Sequence, residues 1–198
     1  MTARRFVALC VPALLAAAAI GHATGGGTVA GPTVITIEAR GARTATGFVA
    51  RPERVVTVAH AVGTGLVTVR GADGIPHQAT VLRRDAVLDL ALLKVPELPA
   101  ASPPLTRGGT RVLLRREGMA VAAPATVRRR IDARVRNGDG RLIARRPTLE
   151  LTAPIRSGDS GAPVIQDGHV TGIIFARSRD RPGLAYAIDA VVLERFLR

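Results

Sequence analysis

The 198-residue chain has no tryptophan, one tyrosine, four phenylalanines, one cysteine and, among 28 basic residues, a single lysine, Lys94. With aromatics at 3%, the interior has to be built from Val, Leu, Ile and Ala, and a surface that binds nucleic acid by stacking bases on rings is excluded. No reading helix replaces those rings, so nucleic acid is not an expected partner despite a formal net charge of +13. The apolar share of 47% is more than a disordered chain carries. The length suits one compact domain or two small subdomains and excludes a large multidomain enzyme.

The lone cysteine, Cys10, lies inside an apolar run from Phe6 to Ile20, with Arg4-Arg5 before it and Gly21-His22-Ala23 after it. That order predicts a secretory signal peptide over residues 1–23, cleaved after Ala23. A run of 15 residues containing Pro12 falls short of the ~20 needed to span a bilayer, although an uncleaved segment tethering the protein to a membrane is the alternative. Arg4-Arg5 is an incomplete twin-arginine signal and reads as an ordinary basic leader. Removal takes Cys10 with it and leaves no thiol or disulfide, which excludes cysteine nucleophiles and thiolate metal sites. A mature chain of ~170 residues is long enough to be held by its core alone. The expected location is outside the cytoplasm, secreted, extracellular or periplasmic. Residues 24–32 are Gly-rich at first and read as a flexible leader.

From Thr33 onward, short β-branched runs alternate with turn residues. Thr33–Ile37, Gly47–Ala50, Val55–Val58, Leu66–Arg70, Ala79–Arg83 and Leu90–Val95 read as strands. Val95–Gly109 contains Pro96, Pro99, Pro103 and Pro104, too many for a central ladder, and reads as a surface linker. Arg111–Leu114, Ala125–Val135, Arg141–Ala144, Leu149–Thr152, Ala162–Ile165, His169–Phe175 and Leu184–Ile188 form a second set of strands, with Asn137-Gly138-Asp139-Gly140 as a hairpin turn. One helix is expected over Asp189–Leu197, with Asp189 as its N-cap. The pattern predicts an all-β fold of two six-stranded antiparallel barrels with a C-terminal helix, over residues 33–103 and 104–198. A single larger sandwich also accommodates the strands.

Three segments carry chemistry. Val55-Val-Thr-Val-Ala-His60 delivers a histidine at the end of a buried strand, and Asp89-Leu-Ala-Leu-Leu places an acid at the mouth of another. Arg156-Ser-Gly158-Asp-Ser160-Gly161 sets a serine between glycines, the tight backbone that turns a hydroxyl outward and lets N–H groups converge. An α/β-hydrolase would run Ser, acid, His, with Gly two residues after the serine where this chain has Ala162. The order His60, Asp89, Ser160 belongs instead to the double barrel. His77 and His169 have no partners at metal-ligand spacing, so no metal or cofactor is expected.

Over residues 33–198 the chain resembles the trypsin-like serine peptidases of the HtrA-related bacterial branch. The resemblance rests on Gly47-Phe-Val, Thr57-Val-Ala-His60-Ala-Val, Asp89-Leu-Ala-Leu-Leu-Lys94, Gly158-Asp-Ser160-Gly, Thr171-Gly-Ile-Ile and Gly183-Leu-Ala-Tyr-Ala-Ile188, in family order. It implies a chymotrypsin-like fold and a serine endopeptidase with Ser160 as nucleophile, His60 as acid and base, Asp89 as orienting acid, and the N–H groups of Gly158 and Ser160 as the oxyanion hole. By the same resemblance Pro154 lies at the base of the specificity pocket and Phe175-Ala176-Arg177 forms its wall. With no carboxylate there, a small or medium apolar substrate residue is expected rather than Lys or Arg, and Arg177 drawing an acidic residue is the alternative.

Two departures matter. HtrA enzymes usually carry Asn before the nucleophile and a PDZ domain after the barrels. Here the residue is Asp159, as in digestive and actinobacterial secreted peptidases, and the chain ends at Arg198, so no PDZ domain is expected. A buried Asp159 needs a cation. Arg115 or Arg116 would supply one in an enzyme active on folding, whereas an amine freed near Val29-Ala30-Gly31 would make a zymogen. Finally, two-thirds of the +9 carried by residues 104–198 lies in one stretch, where Arg128, Arg129, Arg130, Arg134, Arg136, Arg141, Arg145 and Arg146 stand against two aspartates. They read as a solvated face or a contact for an anionic partner, the role that a non-catalytic relative would keep.

Overall fold

The computed structural model describes residues 28–39, 43–63, 67–98, 104–106, 108–136 and 141–198. The expected signal peptide, Cys10 and the turn at 137–140 lie outside them. β1 (Thr28–Ala30) precedes the first barrel, which comprises β2 (Val34–Ala39), β3 (Arg43–Arg51), β4 (Arg54–Thr57), β5 (Val67–Arg70), β6 (Pro76–Asp85) and β7 (Leu90–Lys94). After β8 (Pro104–Thr106) come the strands of the second barrel: β9 (Thr110–Arg116), β10 (Met119–Arg136), β11 (Leu142–Thr152), β12 (Pro163–Gln166), β13 (His169–Arg177) and β14 (Leu184–Asp189). The first set closes in the order β2-β3-β4-β7-β6-β5 and the second in the order β10-β11-β14-β13-β12-β9. Closure removes the exposed edges that a sandwich would leave, and two barrels rather than one sandwich result.

Three local expectations change. Arg141–Ala144 and Leu149–Thr152 are parts of one strand, because Pro147 pairs opposite Asp132 without breaking the β10–β11 ladder. Thr28–Ala30, read as flexible leader, pairs antiparallel with β8, so Pro104–Thr106 is strand rather than linker. β10 continues through Pro124 back to Met119.

Apolar side chains, nearly all aliphatic, fill both barrels. Phe48, Ile35, Ile37 and Leu93 pack in the first, and Leu114, Leu149, Leu151 and Ile174 in the second. Leu105, Leu113, Ile165, Ile173 and Ile188 join the first cluster, so its apolar core extends into the second barrel. The helix α1 (Ala190–Leu197) is capped as expected, Asp189 Oδ1 accepting from the Val191 N–H at 3.1 Å. Its Val192, Leu193 and Phe196 enter the same cluster. At its C-terminal end, Arg51 donates to Leu197 O at 2.9 Å and Arg83 to Phe196 O at 2.7 Å, so first-barrel cations meet the negative end of the helix.

The Arg-rich strands β10 and β11 have two faces. Arg134 and Arg145 are exposed and directly opposite each other, whereas Arg129 pairs with Glu150 through two 3.1 Å bonds and Arg130 with Asp189 at 3.1 Å. Bonding from Arg129 pulls the Glu150 carboxyl below the usual glutamate range. Arg146 is a correction to the reading of all eight arginines as one surface. It pairs with Ala133 on the inward-facing row and is only 4% exposed, so it is unavailable to an outside partner.

Candidate active site

The register of β4 and β7 sets the first part of the site. Thr57 lies opposite Ala91, so the chain leaving β4 runs toward the residues that precede β7, and Ala59 N–H donates to Asp89 O at 3.2 Å. A 3₁₀ turn over Ala59–Ala61 buries its two small alanines and leaves His60 facing out. Arg84 braces that turn, its Nε donating to Ala59 O at 3.2 Å and Val62 O at 3.0 Å. The Asp89 carboxylate is held twice by His60, whose backbone N–H donates to Oδ1 at 2.9 Å and whose Nδ1 lies 2.8 Å from Oδ2. A carboxylate only accepts, so Nδ1 carries the proton and Nε2 is left as the basic nitrogen.

The second part comes from the other barrel. Gly161 N–H donates to Ile174 O at 2.7 Å and Ile174 N–H to Ala162 O at 2.9 Å, pinning the serine loop to β13. β3 holds its other side, with Thr46 N–H donating to Ser160 O at 2.8 Å and Thr46 Oγ1 to Gly158 O at 3.0 Å. Gly161 has φ +92°, and a Cβ there would collide with Thr46 O and Thr57 Oγ1, so only glycine fits. His60, Ser157, Gly158, Ser160, Thr44, Ala45 and Ala61 line one cavity of about 370 Å³.

Two turns orient the serine loop's N–H groups. Asp159 N–H donates to Arg156 O at 3.2 Å, closing a turn with Gly158 in third position at φ +93°, the value that a type II turn requires. Ala162 N–H holds Asp159 O at 3.1 Å, which directs the trans peptide's other end, the Ser160 N–H, the opposite way. Asp159, 2% exposed, receives Arg116 Nη2 and the Arg156 N–H at 2.7 Å each. Arg116 is thus the cation that Asp159 needs, and it also donates to Pro154 O at 2.8 Å. Arg115 points elsewhere, donating to Gly71 O in the first barrel at 2.7 Å.

The other expected residues do not join this cavity. Pro154, Phe175, Ala176 and Arg177 are absent from its lining. Phe175 lies under the Arg146 guanidinium, 4.3 Å from ring centroid to Cζ, and Arg177 is exposed. His77 pairs with Asp73 at 3.1 Å. The sequence reading missed Thr46 and Arg84, both of which bond to backbone carbonyls and so leave no motif.

A family model described as the trypsin-like peptidase domain matches residues 45–173. Serine protease Rv3671c and serine protease MT3772, from two strains of Mycobacterium tuberculosis, are each 35% identical to this chain over 156 residues. The match takes in 73% of this chain and 39% of theirs, so the chain spans about two-fifths of the length of these curated relatives. Among solved structures, the active form of Rv3671c protease superposes with a TM-score of 0.72 at 32% identity, covering 84% of this chain and 79% of that one. A serine endoprotease from Yersinia pestis, at 18% identity, TM-score 0.63 and coverage of 85% and 62%, shares the fold.

Proposed function

The chain belongs to the family of trypsin-like peptidase domains, and from that premise we propose that it is a secreted serine endopeptidase working through His60, Asp89 and Ser160. The observation that carries this reading is the 2.8 Å bond from His60 Nδ1 to Asp89, with His60 lining the same cavity as Ser160 and Gly158.

Ser160 Oγ attacks the peptide carbonyl carbon while His60 Nε2 takes its proton. Asp89 keeps Nδ1 protonated and stabilises the imidazolium that forms. The oxyanion is met by the N–H groups of Gly158 and Ser160, each worth about 3 kcal/mol of transition-state stabilisation. His60 then protonates the departing amine, leaving an acyl-enzyme, and water repeats the sequence to release the acid.

The Arg116 pair with Asp159 favours an enzyme active as soon as it folds, and the pairing of Thr28–Ala30 with β8 favours it further, since a new terminus there is engaged elsewhere. The absence of a carboxylate among Pro154, Phe175, Ala176 and Arg177 supports cleavage after small or medium apolar residues rather than Lys or Arg.

The test is labelling of the protein beginning at Thr24 with a fluorophosphonate probe beside Ser160→Ala. Labelling of the first and not the second is expected, and labelling of neither refutes the reading. Mass spectrometry of the N-terminus of protein recovered from the medium tests export, with Thr24 expected first.

A further inference from the structure

The acid of the site is delivered by a turn in a demanding conformation. Asp89 has φ +57°, a left-handed value that Asp tolerates better than most side chains but that still has to be held. Within the turn, Asp85 Oδ1 accepts the N–H groups of Val87 and Leu88 at 2.9 and 2.8 Å. From the His60 side, Ala59 N–H takes Asp89 O. The third hold crosses between barrels: Arg146 of β11, 58 residues away in sequence, donates Nη1 to Leu88 O.

Arg146 is a costly way to make that contact. Its side chain is buried, its Nε is buried without a hydrogen-bond partner among the described residues, and one face of its guanidinium is spent on the Phe175 ring. Burial holds its pKa below the ordinary arginine value, with Asp89 first and Asp85 second opposing that shift. A methionine would fill the same space without desolvating a charge, so packing alone does not account for the arginine.

We propose that Arg146 is a positioning residue for the triad, fixing the Leu88–Asp89 peptide against His60 and, as a buried cation behind Asp89, offsetting part of the field that the carboxylate exerts on the imidazole. The charged groups packed around the His60 turn, among the described residues, are Asp89 and Asp85 of the turn before β7, Arg84 of β6 and Arg146 of β11. Without Arg146, with Arg84 left as the remaining cation beside the turn, the carboxylate acts on His60 more strongly, the imidazolium is favoured, and the acid limb of the pH profile moves to higher pH. The proposal rests on the peptidase reading.

The test compares pH profiles of kcat/KM for the full chain and three variants, with fluorophosphonate titration counting active serines and circular dichroism verifying each fold. Arg146→Met removes both donor and charge, Arg146→Gln keeps a donor for Leu88 O, and Arg146→Lys keeps the charge. The acid limb is expected to rise by about half a pH unit or more in the Met and Gln variants and to stay in place in the Lys variant. In Arg146→Met, kcat falls about tenfold or more with KM nearly unchanged. A purely packing role would leave the limbs superimposed. Coincident limbs in wild type and Arg146→Gln, or an equal displacement in Arg146→Lys, overturn the proposal while leaving the peptidase reading intact. An unlabelled wild type overturns both. If Arg146→Met fails to fold, the Gln and Lys pair decides the matter.

Discussion

Replacing Arg116 with methionine separates the loop that presents Ser160 from the cation that holds it. Asp159 is nearly inaccessible and, among the described residues, keeps the Arg156 N–H alone once Nη2 is gone. Leaving one partner of a buried pair uncompensated costs about 3–5 kcal/mol, and the lost bond to Pro154 O adds about 1. At a urea slope of about 2 kcal/mol per molar, a loss of about 4 kcal/mol lowers the unfolding midpoint by about 2 M. Activity suffers further if the carboxylate turns toward water, because the 156–159 turn opens and Gly158 N–H leaves the proposed oxyanion hole, for a kcat loss of about 10²–10³. The assay is urea unfolding followed by ring fluorescence and circular dichroism, together with kcat on a chromogenic peptide. Asp159→Asn in the same background removes the stranded charge and is expected to restore most of the midpoint, making the double variant more stable than Arg116→Met alone. A midpoint and kcat unchanged in Arg116→Met would refute this account of the loop.

Two further predictions concern stability. Phe196→Ala empties a core position that is 1% exposed and removes the ring under Arg83, so a destabilisation of about 3–5 kcal/mol is expected by urea unfolding, with kcat of the folded fraction retained. Because Arg129 lowers the folded-state pKa of Glu150, their pairing contributes stability above the unfolded pKa of glutamate and loses it as pH falls through the lower folded value. The melting temperatures of wild type and Arg129→Ala are therefore expected to differ at neutral pH and to converge in acid. A constant gap across that range would count against the pair.

The residues of the proposed triad and the helix cap were legible because each is a local pattern, a strand end, a Gly-flanked serine or an Asp before an apolar helix. The double barrel followed from strand count and the order of the motifs. The assignment of Arg146 failed because the β10–β11 register, which decides which of the adjacent Arg145 and Arg146 faces inward, is not written in a run of arginines, and the Asp85–Asp89 turn that receives Arg146 lies far away in sequence. β11 was split in two at Pro147, since a proline in a strand reads as a break unless its register is known. Thr46 was invisible for a related reason. What it binds is backbone, which carries no residue-type signal.

Thr46 also sets the order of events in the life of the chain. Its bonds to Ser160 O and Gly158 O span 112 residues or more between the strand that receives the serine loop and the loop itself, so they form after both barrels have closed and met. A chain with only its first barrel formed has the His60–Asp89 pair but lacks the contacts that hold the Ser160 loop. On the proposed mechanism, hydrolytic competence therefore arrives only when the two barrels meet, and a copy that has not completed this step is unable to digest its unfolded neighbours.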